Sequence, residues 1–200
     1  PLYTYGQDPK TLRAFVLQRE WRAGPAVYSD INFILLGIAL ERIEGGTIRD
    51  FDLPSGFAWR PDPANCAATE HCTWRGRVMV GEVHDENCYA LAGSGHAGLF
   101  GTIGGVLDFA ASLLDGTGAS AESIALMRRP LSDRRTHGWE RPNIGWSGGD
   151  SCGPGVVGHT GFTGTGPRSC SCSPFGGCST CPYRRSTSPS SGSHTNSCAG

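Results

Sequence analysis

The sequence predicts an α+β protein, and three observations carry that expectation. Helical apolar patterns with start and stop signals fall at 9–21, 30–44, 102–114 and 120–129. Strand patterns are short and few, at 77–80 and 156–162. Gly is high, 30 of 200 residues, and hydrophobic residues make up only 38%, so a core forms from part of the chain and not from all of it.

Asp8-Pro9, followed by Leu12, Phe15 and Val16, reads as a capped amphipathic helix with Pro at its first position, ending near Trp21 ahead of Gly24-Pro25. Ser29 or Asp30 can cap the next helix. Its run from Phe33 to Leu40 is apolar nearly all round, which predicts burial on every side, and Gly45-Gly46 stops it. Residues 50–82 read as loop, with Pro54, Pro61 and Pro63, apart from the strand from Arg77 to Val80. Gly93 to Gly98 reads as a flexible turn. Thr102 caps a helix that runs to Leu114 and is ended by Gly116; Ser120 to Arg129 is a shorter helix closed by Pro130. Val156 to Phe162 reads as a strand whose glycines permit close backbone approach.

Composition excludes some function classes. The net charge is −1, from 17 Lys plus Arg against 18 Asp plus Glu, so no bulk positive field points to nucleic acid. No run of about 18 apolar residues exists to span a membrane. Lys10 is the sole lysine, so any lysine-dependent chemistry must use it. The chain opens on Pro1 with no signal-like apolar segment after it, which reads as a removed N-terminus or an internal piece.

Residues 1–166 read as one globular unit and 167–200 as a Ser/Cys-rich tail. From Arg168 onward there is no Val, Ile, Leu, Met or acid, but ten Ser and five Cys. Such a segment buries too little apolar surface to offset chain entropy, which predicts disorder. Cys170, Cys172, Cys178 and Cys181 form a C-x-C-x5-C-x2-C array that could hold zinc, although its first pair is tighter than the usual C-x2-C. An out-of-frame translation of a GC-rich gene and a native low-complexity tail are the other two readings. Cys66, Cys72, Cys88 and Cys152 are scattered and assign no compartment.

Chemistry-bearing residues sit at the second helix and the last strand. Tyr28 stands just before a helix start, where negative charge is favoured, so its phenol is a candidate proton carrier; a packing tyrosine is the bland alternative. His159-Thr160-Gly161 on a strand offers a hydroxyl and a backbone edge to an extended acyl substrate, and plain strand is the alternative.

Taken together, three blocks resemble the serine β-lactamase and penicillin-binding family, closest to its class C-type branch with esterases and DD-peptidases. Tyr28-Ser29-Asp30, with Asn32-Phe33 and Leu35-Leu36-Gly37 after it, resembles the tyrosine motif. Gly81 to Asn87 and then Gly95-His96-Ala97-Gly98-Leu99-Phe100 resemble the middle block. Gly158-His159-Thr160-Gly161-Phe162-Thr163-Gly164 resembles the third motif, usually Lys-Thr-Gly. The resemblance covers residues 1–166 in the family's order. It implies a β-lactamase/DD-peptidase-like fold, here mostly the helical lobe with an incomplete antiparallel sheet lobe, whose open edges predict marginal stability.

The resemblance implies acyl transfer through a seryl intermediate, with no cofactor and no metal. Tyr28 would handle the proton. Asp30 would stand where many members have Asn, and His159 where Lys is usual. Thr160 and Gly161 would contact a small-molecule or peptide acyl substrate, and the Phe162 N–H would donate to the oxyanion. The Ser-x-x-Lys nucleophile is absent, because Gln7 stands three residues before Lys10. In the family that motif precedes the tyrosine motif, so it would lie upstream of Pro1. The expectation is therefore part of a serine hydrolase domain, inactive as given. A non-catalytic zinc-binding or interaction protein using the tail cysteines is the alternative. His84, Asp85 and His96, with His159, include metal-ligand types at a spacing that fits no known motif, and hydrogen-bonded loop structure is their other reading.

Overall fold

A computed structural model describes residues 1–6, 8–22, 24–25, 27–146, 153, 155–163 and 168–170, the last three as backbone only. The described architecture is α+β, with five α-helices and three two-stranded antiparallel sheets. The tail cysteines 172, 178, 181 and 198, and Cys152, lie outside the described residues.

Helix α1, Pro9–Gln18, starts where Asp8 accepts from the Thr11 N–H at 2.8 Å. It ends three residues before Trp21, whose indole N–H donates to the Val16 carbonyl at 3.1 Å and so satisfies an end-of-helix acceptor. Helix α2, Ile31–Glu44, has Asp30 at its N-cap with no side-chain capping bond; Ser29 Oγ instead accepts from the Ile31 N–H at 3.3 Å. Gly45 closes α2 at φ 75°, and Gly116 closes the helix of residues 103–115 at φ 82°, both left-handed. Helix α3, Glu86–Ala90, is a short addition that sequence periodicity did not resolve. Helix α4, Ile103–Asp115, is capped by Thr102 Oγ1 on the Gly105 N–H at 3.0 Å, and α5, Ala121–Arg128, by Ser120 Oγ on the Ser123 N–H at 3.1 Å.

Strand β1, Phe57–Ala58, pairs with β4, Phe100–Gly101. Strands β2, Ala68–Cys72, and β3, Arg77–Val80, form a hairpin with a register irregularity between Ala68 and His71. Strand β5, Val156–Gly158, pairs with β6, Arg168–Cys170, so a strand begins where the aliphatic-free composition begins. On its other edge β5 takes Glu140, whose N–H and carbonyl exchange bonds with Gly158 at 2.7 and 3.1 Å.

The core packs Leu12 and Val16 of α1 against Ile34 and Ile38 of α2, with Leu2, Ala90 and Leu91 closing it. Arg13 braces this layer. Its guanidinium pairs with Glu41, itself the acceptor for the Ile48 N–H at 2.9 Å, and donates to the carbonyls of Leu91 and Gly93 at 3.2 and 3.1 Å.

Two sequence expectations are corrected here. Helix α2 is not buried all round. Ile34, Gly37 and Ile38 are buried, while Phe33, Leu36, Leu40 and Ile43 are exposed, because α1 and the Leu91–Gly95 loop cover one face only among the described residues. The stretch 93–98 is not a loose turn. Ser94 is buried, and Gly95 packs backbone to backbone on Gly37.

Candidate functional site

The middle block is built from hydrogen bonds. Asp85 caps α3, its Oδ1 accepting from the Cys88 N–H at 2.6 Å and from His96 Nε2 at 2.8 Å. The other ring nitrogen of His96 lies 2.9 Å from Ser94 Oγ, so an Nε2–H tautomer satisfies both contacts, with the Ser94 hydroxyl donating to Nδ1. Burial pushes the Asp85 carboxyl up, but the bonds from His96 and the Cys88 N–H outweigh it and hold the group below the usual carboxylate range. Burial, helped by the Asp85 charge, pushes the neighbouring Cys88 thiol up to about 11.

A carboxyl depressed in the folded state stabilises above its unfolded value of about 4, and that contribution is lost as pH falls through the folded value. Asp85→Asn keeps the cap oxygen and removes the charge. It should lower stability at pH 7 by about 1–2 kcal/mol, the scale of a charge-assisted hydrogen bond. Urea midpoints measured at pH 7, 5 and 3 check this. The deficit against wild type is expected to shrink at pH 3, and an equal deficit at all three values would contradict the assignment.

Asp30 joins this block. A ligand-type atom from each of Asp30, Asp85 and His96 lies within 4.8 Å of the others. Both ring nitrogens of His96 are already engaged by Asp85 and Ser94, which accounts for the cluster as hydrogen-bonded loop structure. His84 is turned elsewhere. Its Nε2 lies 2.7 Å from Glu70, its buried Nδ1 has no partner among the described residues, and its ring stacks on Phe162 at 5.7 Å.

The third block differs locally from its sequence reading. Strand β5 stops at Gly158; His159, Thr160 and Gly161 continue as irregular chain, and Phe162-Thr163 form a turn. His159 Nδ1 lies 2.8 Å from its neighbour's carbonyl oxygen, that of Thr160. A carbonyl only accepts, so Nδ1 carries the hydrogen. Nε2 is then a lone pair, and Arg135 Nη1 donates to it at 3.1 Å.

Arg135 is the residue that sequence reasoning missed. Its Cζ stands 5.4 Å from the centre of the Tyr28 ring. Its Nη2 pairs with Glu140 at 3.1 Å, and Glu140 is anchored on β5. One guanidinium thus touches both Tyr28 and His159, which are separated by most of the chain. The positive charge at this place belongs to Arg135, while His159 serves it as an acceptor. No local pattern marks Arg135 among the sixteen arginines; its role comes from long-range pairing alone.

The sequence-predicted residues therefore fall into two neighbouring groups. Tyr28 and His159 share Arg135. Asp30 sits with Asp85 and His96, whose neighbour His84 carries Phe162. Thr160 and Gly161 are exposed between them in sequence, and Tyr28 and Phe162 are 72% and 86% exposed, so the arrangement is open to solvent.

Beneath it, Arg75 fixes the backbone that leads into the middle block. Its side chain is 8% exposed and bonds Glu82 at 2.6 Å, the Val83 carbonyl at 2.8 Å, the His84 carbonyl and Cys72 Sγ. Burial opposes its charge, but the bonds to Cys72 and Glu82 outweigh burial and raise its affinity for the proton.

No family model matches the chain, and no solved structure does. Curated proteins do. An Escherichia coli K12 protein, provisionally named D-alanyl-D-alanine carboxypeptidase, is 27% identical over 183 residues, covering 70% of this chain and 41% of its own length. Its counterpart in Escherichia coli O157:H7 is 28% identical over the same shares. A Bacillus subtilis protein named N-acetylmuramyl-L-alanine amidase is 29% identical over 182 residues, covering 70% of this chain and 40% of its own length. No helix among the described residues is long and apolar enough to cross a membrane. The chain spans about two fifths of the length of these relatives and is similar, at that level, to proteins named as hydrolases.

Proposed function

We propose that the chain is part of a serine hydrolase domain of the β-lactamase, DD-peptidase and esterase type, acting on peptides of peptidoglycan. The observation that supports it most is the single guanidinium of Arg135 shared by Tyr28 of the first motif and His159 of the third. The similarity to proteins named as a D-alanyl-D-alanine carboxypeptidase and a muramyl amidase favours a peptide substrate over a free lactam.

In this reading Tyr28 takes and returns the proton of an attacking hydroxyl. The Arg135 cation lies over the ring and holds it beside His159. Thr160 and Gly161 hold the acyl group, and the Phe162 N–H, which has no acceptor among the described residues, donates to the oxyanion. Asp30 acts by position, as part of the Asp85–His96 cluster at the start of α2. The seryl nucleophile is not among these 200 residues in a Ser-x-x-Lys setting, so the chain alone is proposed to bind and not to turn over. Residues 1–166 are proposed as the hydrolase part and 167–200 as a Ser/Cys-rich, out-of-frame tail, whose Arg168–Cys170 pair with β5.

Binding is measurable without a nucleophile. Titrating N-acetyl-D-alanyl-D-alanine against labelled protein should shift the backbone amide resonances of Thr160, Gly161 and Phe162 in a saturable way. Arg135→Gln should weaken that binding about tenfold, the scale of one charge-assisted contact. Shifts that avoid residues 159–163, or none at all, would overturn the reading.

A further inference from the structure

Away from Arg135, the surface carries a ridge of aromatic rings that the proposed chemistry does not use. On one side the Tyr5 ring stacks on Phe15 at 4.8 Å, and Arg19 lies over both Phe15 and Trp21, at 5.8 and 5.3 Å. On the other, Tyr3 lies against Trp74 at 4.8 Å, and Trp74 meets Tyr89 edge-on at 5.9 Å. The same short 3-10 turn, Leu2–Tyr5, carries Tyr3 and Tyr5 and so joins the two sides. Tyr5, Trp21 and Tyr89 are exposed, at 63%, 46% and 37%, and Tyr3, Phe15 and Trp74 are half-buried.

The ridge is held in place before any ligand arrives. Asn87 Oδ1, on α3, accepts from the Leu2 N–H at 2.8 Å and the Tyr3 N–H at 3.4 Å, which ties the turn to the helix that bears Tyr89. Arg75, locked by Glu82 and two carbonyls, lies 4.8 Å from the Tyr89 ring centre. Rings fixed in this way lose little entropy on binding. Helix α3, which bears Tyr89, is also the helix capped by Asp85.

We propose that this ridge docks a polysaccharide of N-acetylated amino sugars. Such a sugar ring has an apolar C–H face and a polar rim. An aromatic ring with a phenol or indole edge has the same division. The tilts of 41° and 80° between successive rings make a stepped platform, suited to a chain of separate rings and not to one flat ligand. The guanidiniums over these rings are those of Arg19 and Arg75, the second already paired with Glu82, fewer than the cluster of basic side chains that an anionic membrane surface requires. The choice of amino sugars rests on the proposed peptidoglycan reading, whose glycan strand would be held here while its peptide reaches the site.

The test uses the whole chain and chitotetraose, read by tryptophan fluorescence and by amide shifts. Wild type should show a saturable change centred on residues 3–5, 74 and 89. Tyr5→Ala, whose ring is mostly in solvent, should weaken binding about tenfold with an unchanged melting temperature. Trp74→Ala should abolish it, and Trp74→Phe, which keeps a ring in place, should stay within about threefold of wild type. No saturable change, an equal affinity in Tyr5→Ala, or binding of a decaproline peptide or anionic vesicles in place of chitotetraose would overturn the proposal. Retained chitotetraose binding beside a failed dipeptide titration would leave the ridge standing and remove the hydrolase reading alone.

Discussion

Gly95→Ala should destabilise the protein by about 2–3 kcal/mol, the cost of forcing atoms into a packed contact. A Cβ at Gly95 would collide with the Phe33 carbonyl oxygen and sit 3.2 Å from both Gly37 N and Gly37 Cα; one at Gly37 would sit 2.8 Å from Gly95 N. All these neighbours are backbone, and the helical one cannot yield without breaking α2. For a chain of this size the melting temperature should fall by roughly 5–10 °C. The consequence reaches the site, because Gly95 lies between Ser94 and His96. Pushing the loop off α2 separates His96 from Asp30. Gly104→Ala is the control. It lies in the first turn of α4, its Cβ meets nothing closer than 4.0 Å, and it should be neutral or stabilising by about 0.5–1 kcal/mol. Thermal melts of both variants check the pair, and equal melting temperatures would show that the close approach carries no weight.

Arg75→Met should cost about 3 kcal/mol, the lower end for breaking a buried ion pair, because Glu82 is 29% exposed and can partly rehydrate. Methionine fills much of the volume but strands two carbonyls, those of Val83 and His84, that now accept from the guanidinium. Arg75→Lys should recover less than half of the loss, since one ammonium cannot reach Glu82 and both carbonyls in a fork. Urea unfolding measures the loss, and amide exchange at Val83–Asp85 should quicken in the same variant. A stability change under about 0.5 kcal/mol would contradict the clamp, since that is the range of ordinary surface substitutions.

Much of the local structure was legible because it is written in side-chain caps. Asp8, Thr102 and Ser120 each mark a helix start that the structure uses, and Gly45 and Gly116 mark the stops. These signals act within three or four residues, so sequence contains them entirely. Strand β2 was not legible. Four of its five residues are exposed, so Ala68 to Cys72 shows no alternation, and its partner β3 supplies the reason for its conformation. The one-sided burial of α2 was hidden for the opposite reason. Its composition is apolar on every side, and only the packing of α1 and the Gly95 loop chooses a face.

The candidate site divides in the same way. Tyr28, Asp30 and His159 stand out by residue type and motif order. That Asp30 belongs with Asp85 and His96, and Tyr28 with His159, depends on contacts across 24 residues or more, which no local window contains. Arg135 shows the limit most clearly. Its neighbours in sequence are another arginine and a threonine, and its place between the two motifs comes from the pairing of Glu140 with Gly158.

The central proposal is a proton-handling site that awaits a serine from outside these 200 residues. A fluorophosphonate probe with mass-spectrometric mapping tests it most directly, applied in parallel to this chain and to the product of the same reading frame extended upstream of Pro1. The account predicts no adduct on the 200-residue chain. It predicts one adduct per molecule on the extended product, at the serine of a Ser-x-x-Lys, with labelling slowed about 100-fold or more by Tyr28→Phe, the scale of a lost general base. Stoichiometric labelling of the 200-residue chain, or an extended product that carries the motif and stays unlabelled, would contradict it.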